Sequence, residues 1–121
     1  MAYWTLLDEL ATDPQRSINE LKVVADGQAF AQRRIALLTY RESGWRQTGG
    51  ALVSDVQATP EDSGSFKVSA CVNVKGIDFI DADGRSQVNP KRPDAQRFSY
   101  DVSSRSGKFV VTQDTLKGSS C

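Results

Sequence analysis

Phe66-Lys67-Val68-Ser69-Ala70-Cys71-Val72-Asn73-Val74-Lys75 alternates apolar and polar side chains. That period belongs to a strand with one face in a core. Phe66, Val68, Ala70, Val72 and Val74 share the apolar face, and Lys67, Ser69, Cys71, Asn73 and Lys75 the other. Toward the C-terminus, Ile77 to Ile80 resume the run after Gly76, and Asp83-Gly84 is a hairpin-type turn. Residues 85 to 94 are polar, hold two prolines and read as a loop. Arg97 to Ser103 alternates again, with Phe98, Tyr100 and Val102 on one face; Ser104 to Gly107 turns the chain, and 108 to 116 form the last strand. Toward the N-terminus, Thr59 to Gly64 is a turn cluster. Trp45 to Thr59 alternates only in part, with Gly49-Gly50 as a bulge or bend.

Before Gly44 the period is helical. Tyr3, Leu6, Leu7 and Leu10 predict a helix over 2–12, ended by Asp13-Pro14. Ser17 and Glu20 have capping-box spacing for a second helix, which Asp26-Gly27 closes. The longest helix spans 28–42, with Ala29, Phe30, Arg33, Ala36, Leu37 and Tyr40 along one side. Arg33, Arg34 and Arg41 read as its solvated edge. Three helices followed by four to six antiparallel strands predict a single α+β domain over 1–121, the helices packed on one face of a strongly curved sheet. The two C-terminal strands are long enough that they must curl, and Gly49-Gly50 and Gly76 are the bending points expected.

Composition excludes several functions. Fifteen basic and 15 acidic residues leave no net charge, against the cationic excess that non-specific nucleic-acid binding needs. There is no histidine, which removes His-based acid–base chemistry and most zinc sites. No cofactor or metal is expected. No apolar run is long enough to span a bilayer. The opening MAYWTLLDEL does not read as a signal peptide.

Cys71 sits on the polar strand face and Cys121 is the last residue. Two readings compete: a disulfide that ties the tail to the sheet in an oxidising compartment, or two unrelated thiols in a reducing one. On the first, the loop of about 50 residues stabilises by roughly 4 kcal/mol in the chain-entropy model.

The segments Trp45-Arg46-Gln47-Thr48-Gly49-Gly50, Ala70-Cys71-Val72-Asn73-Val74, Asp81-Ala82-Asp83-Gly84 and Gly118-Ser119-Ser120-Cys121, in this order, carry a family likeness. The chain resembles the NTF2-like, cystatin-like α+β roll. More narrowly it is similar to largely uncharacterised domains of secreted proteins and lipoproteins of actinobacteria. The resemblance implies a cone-shaped fold, a Cys71–Cys121 disulfide and export, usually behind a membrane anchor upstream of these residues. It also implies that rolls of this type pair sheet to sheet as homodimers. It implies no activity.

Asp81-Ala82-Asp83-Gly84 evokes a calcium loop, but Phe79 and Pro90 stand where first and last ligands belong. A turn is the better reading, with Asp78 near enough to help a weak surface calcium site. In ketosteroid isomerases the roll's pocket holds an Asp base and a Tyr or protonated Asp donor. Tyr3, Tyr40, Tyr100, Asp55 and Asp101 are the candidates here, and no pair is clearly placed inward together. Trp4 and Trp45 are candidates to line the cone mouth. Trp4, Tyr40, Trp45 and Tyr100 are therefore the residues expected at a ligand pocket or partner contact. The leading expectation is an exported, non-enzymatic module that binds a partner protein or small ligand, or dimerises through its sheet. An apolar patch of Trp45, Val53 or Phe109 on the outer sheet would favour association. The alternatives are an isomerase- or hydratase-type enzyme and a component of a cell-envelope secretion or conjugation assembly.

Overall fold

The computed structural model describes all 121 residues. Helix α1 covers Ala2–Thr12 and α2 covers Gly27–Glu42, with a short 3-10 helix, Ile18–Val23, between them. Six strands follow: β1 Arg46–Thr48, β2 Leu52–Pro60, β3 Ser65–Asn73, β4 Asp78–Ile80, β5 Ala95–Arg105 and β6 Lys108–Gly118. β2-β3-β5-β6 form one antiparallel sheet, and β1 pairs with β4 in a second. The fold is an α+β roll, its helices lying in the concave face of the curved sheet. No helix is long and apolar enough to cross a membrane.

The β3 alternation holds. Val68, Ala70, Val72 and Val74 are buried with Phe98, Tyr100 and Val102 of β5. Leu7, Leu10, Leu21, Ala29 and Leu37 meet them from the helices. The N-terminal elements depart from expectation in two places. The second helix is 3-10 rather than α, because the chain must leave it early to pair with the sheet. Asp26 N–H donates to Val111 O at 2.9 Å and Val111 N–H to Val24 O at 2.9 Å. Ser17 does cap it through Asn19 N–H, but Glu20 does not complete a capping box. Its carboxylate takes the Arg16 guanidinium instead. Asp26-Gly27, read as a helix end, is the start of α2, where the Asp26 carboxylate accepts from Gly27 N–H.

The glycines expected to bend the long strands do something else. Gly49 (φ 72°) lies against Gly76 where β1 gives way to β2 and β3 to β4. A Cβ on Gly49 would sit 1.9 Å from the Gly76 carbonyl oxygen, so two chain crossings share one gap. Curvature comes from extra residues: at Asp55-Val56 of β2, where Asp55 has φ 50°, and at two register shifts between β5 and β6. Ser106 and Gly107, both at positive φ, close the β5–β6 hairpin. Asp83-Gly84 is a turn as expected. Asp81 organises it by accepting from Asp83 N–H, Arg85 N–H and Gln87 Nε2.

Cys71 and Cys121 are joined in a disulfide, Cα to Cα 5.6 Å. Cys71 faces the convex side, as its parity required, yet it is buried because the tail lies over it. Arg97, opposite Cys71 in the register, holds the tail through Ser120 O and reaches Ser69 Oγ and the Asp55 carboxylate.

Two stability outcomes follow from this geometry. Reduction removes a cross-link spanning 50 residues and lowers unfolding stability by about 4 kcal/mol, measured by denaturant unfolding with and without reductant. Gly49→Ala costs several kcal/mol, because both its φ and the Gly76 carbonyl oppose a side chain, whereas Gly84→Ala, with nothing near it, costs only its φ strain.

Candidate functional site

The interior is divided between a buried polar network and a cavity. Asp114 of β6 is 1% exposed, and its Oδ2 accepts from Tyr3 OH at 2.5 Å and from Arg33 Nε at 2.8 Å. Gln28 brackets the Asp114 backbone: its Oε1 accepts from Asp114 N–H and its Nε2 donates to Asp114 O. Arg33 spreads its guanidinium over Trp4, 4.8 Å from the ring centre, and near Phe98. Trp4 Nε1 donates to Tyr100 OH at 2.7 Å. Asp114 Oδ1 is buried without a partner.

Burial sets the titration of this network. It raises the Tyr3 and Tyr100 phenols far above their ordinary value, and Asp114 adds to the rise at both. Tyr40 is raised by burial as well. Burial works against the Arg33 charge, but Asp114 and Tyr3 outweigh it and hold the guanidinium protonated.

The expected site residues separate. Trp4 and Tyr40 line the cavity, Tyr100 is packed in the network behind it, and Trp45 lies outside, stacked on Tyr40 beside a surface recess near Ile80. Asp55 and Asp101 are not interior carboxylates. Asp55 meets Arg97, and Asp101 meets Lys67 on the convex face. Val53 packs against the core, while Phe109 lies at the far end of the concave face against Phe66. Trp45, Val53 and Phe109 therefore make no joint outer patch.

Sequence reasoning misplaces Arg33, whose side chain is only 17% exposed and turned inward rather than on the solvated edge; Arg34 is exposed as expected, and Arg41 donates to Leu10 O and Asp13 O. The signal is present, since Arg33 lies on the same helical stripe as Ala29, Leu37 and Tyr40. Asp114 is absent from the sequence candidates, because strand parity alone hides it. Thr112 is an extra residue between the Val102–Val111 and Asp101–Gln113 pairs, so Val111 and Asp114 come to face the same way. Asp8 and Arg92, described next, are also absent from them.

The cavity is about 180 Å³ and lies between the helices and the β1–β4 side of the sheet. Leu7, Ala11, Ala36, Leu37, Val74, Ile77 and Phe79 wall it with Trp4 and Tyr40. Its polar groups are Asp8, Arg33, Gln47, Arg92 and Gln96. Asp8 is committed on both oxygens, accepting from Gln47 Nε2 at 2.8 Å and Ala51 N–H at 3.0 Å. Arg92 Nη2 donates to Val74 O and Ile77 O, which leaves the other guanidinium nitrogens without a protein partner. No group of three or more Cys, Asp or Glu side chains converges in a way that would hold a metal.

No family model matches this chain, and no curated protein matches it. Solved structures do. The intermembrane space region of the chloroplast protein ARC6 superposes with a TM-score of 0.68 at 15% identity, over 98% of this chain and 91% of that one. A "putative aromatic ring hydroxylase" from Novosphingobium aromaticivorans gives 0.64 at 15% identity, over 97% and 81%. Aln2 from a Streptomyces species gives 0.58 at 11% identity, over 97% and 85%. At these identities the likeness shows the fold alone, and that fold is NTF2-like.

The network generates two predictions. Arg33→Met leaves Asp114 buried and uncompensated and costs about 3–5 kcal/mol, while Arg33→Met with Asp114→Leu recovers most of that loss in denaturant unfolding. The raised tyrosines favour the folded state below a pH of about 10, the ordinary phenol value. Above it the unfolded chain loses protons that the fold retains, so stability falls with rising pH. Phenolate absorbance should then appear together with unfolding; tyrosine ionisation near pH 10 with the fold intact would contradict this.

Proposed function

We propose that the chain is an exported, non-enzymatic NTF2-like binding module whose cavity takes a single-ring, mostly apolar small molecule. The observation that carries this reading is the lining. A cavity with nine apolar residues of fourteen has its only carboxylate, Asp8, tied to the protein on both oxygens. A general base needs a free carboxylate within reach of substrate. The one close tyrosine–carboxylate pair, Tyr3 with Asp114, is buried in the network, outside the cavity lining, and neutralised by Arg33.

Size narrows the ligand. Drug-sized pockets run from about 300 Å³ upward, whereas an apolar cavity of about 150 Å³ takes benzene. At about 180 Å³ this cavity, open to solvent on one side, suits one ring with a small polar substituent. The uncommitted nitrogens of Arg92, with Gln96, give that substituent hydrogen-bond donors. Export is supported by the Cys71–Cys121 bond, since such bonds persist in oxidising compartments.

Titration of single-ring aromatic carboxylates, phenols and amides against the labelled protein tests the reading by chemical-shift changes at Leu37, Val74 and Ile77. Ala36→Phe fills the cavity and should abolish those changes while the protein still unfolds cooperatively. Absence of binding by all three classes, or binding that survives Ala36→Phe, would end the proposal. Turnover of any bound compound would return the isomerase reading.

A further inference from the structure

The polar groups of the cavity wall are unevenly matched. Arg92 donates through Nη2 alone to Val74 O at 2.7 Å and Ile77 O at 2.9 Å. That one nitrogen braces the connection between β3 and β4. Nε and Nη1 meet no protein acceptor, and no carboxylate lies within ion-pair distance of Arg92. The other guanidinium of the wall, Arg33, is neutralised by Asp114 at 2.8 Å. Arg92 is therefore the wall's one cation without a counter-charge. The Gln96 side chain and the Tyr40 hydroxyl line the same cavity and bond to no protein group.

Free acceptors are scarcer. The Asp8 carboxylate accepts from Gln47 Nε2 and Ala51 N–H, which leaves the amide oxygens of Gln47 and Gln96. A ligand amide or hydroxyl brings donors that need acceptors, whereas an ionised carboxylate brings acceptors only. Position adds to this. Arg92 is half-buried between the exposed Lys91 and Pro93, on the solvent side of the cavity. Leu7, Leu37, Val74 and Ile77 are buried and wall the interior.

We propose that the cavity is selective for a monoanion: a single-ring carboxylate, its ring inside and its carboxylate on Arg92 at the open side. This rests on the ligand-binding reading of the cavity and names the ligand's charge. Hydrogen bonds between ionised partners are roughly twice as strong as neutral ones. A head group at the open side also keeps part of its hydration, which limits the cost of burying charge. Both guanidinium edges that can fork a carboxylate include Nη2, which already holds two carbonyls. One ligand oxygen therefore takes Nη1 or Nε, and the other is left to a second donor such as Gln96. A single uncompensated cation matches a single negative charge. A phosphate monoester carries a further charge that nothing in the wall offsets, in a cavity that already contains Asp8.

Chemical-shift titration of the oxidised, labelled chain with benzoate, its neutral isostere benzamide, and phenyl phosphate tests this, read at Leu37, Val74 and Ile77. Benzoate should bind at least about tenfold more tightly than benzamide, and more tightly than phenyl phosphate. Arg92→Gln removes the charge and should bring the benzoate-to-benzamide ratio close to one. Loss of the brace alone would weaken both ligands alike and leave the ratio unchanged. The wild-type comparison decides the ligand's charge even where Arg92→Gln fails to unfold cooperatively. Equal binding of benzoate and benzamide, both lost in Ala36→Phe, overturns the carboxylate assignment and leaves the cavity reading standing. Binding of none of the three overturns both. Tighter binding of phenyl phosphate, or a benzoate preference that survives Arg92→Gln or Ala36→Phe, overturns the assignment to Arg92 and this cavity.

Discussion

A carboxylate that water barely reaches needs a cation, and Arg33 supplies it to Asp114 across the gap between α2 and β6. Tyr3 adds α1 to the same oxygen. Three elements far apart in sequence are thus fixed to one point, and the rest of the interior is arranged around it. Trp4 lies against the Arg33 guanidinium, Tyr100 accepts from Trp4, and Gln28 clamps the Asp114 backbone. Hydrophobic packing would place the helices in the concave face but leave their rotation loose. A buried charge pair tolerates far less error, since either partner left alone costs about 3–5 kcal/mol. The unpartnered Asp114 Oδ1 is the residual cost of that arrangement.

The strand half of the fold is legible because β3 alternates cleanly and its neighbours copy that period. Val68, Val72, Phe98 and Tyr100 point where their parity sends them. The disulfide is readable as one of two options, since Cys71 on a polar face has no packing role there. What cannot be read is set by pairing at a distance. Val24 and Asp26 leave the helical region because β6 offers them hydrogen bonds, and nothing in residues 17–27 announces that partner. The bulges at Asp55 and Thr112 are register events between strands, so parity counted along one strand fails beyond them. The candidate site suffers from the same failure. Asp114 lies beyond such a bulge. Arg33 sits visibly on the buried stripe, and the general habit of arginine to be exposed outweighs its position.

The two concavities then follow from one asymmetry of the helices. Placed by Arg33 and Tyr3, they lie toward the β1–β4 end of the roll and stop short of the hairpin end. Over β1–β4 the small side chains Ala11 and Ala36 leave space under Trp4 and Tyr40, lined by an Asp8 carboxylate already bound to the protein and an Arg92 guanidinium bound through one nitrogen only. On the proposed reading such a space would select by size and by a few donors, its single carboxylate being held by Gln47 and Ala51.

At the other end the same strands continue uncovered. Phe109 and Val56 stand in water beside a buried valine face, and a few exposed apolar side chains in one contiguous groove are what interaction surfaces show. The polar convex face, crossed by the disulfide-bound tail and the Lys67–Asp101 pair, offers nothing comparable. A sheet this curved has one concave face to share between its own helices and anything else. Because the helices cover only part of it, the cavity and the uncovered groove fall at opposite ends of one surface and share no lining residue, the start of helix α1 bordering both.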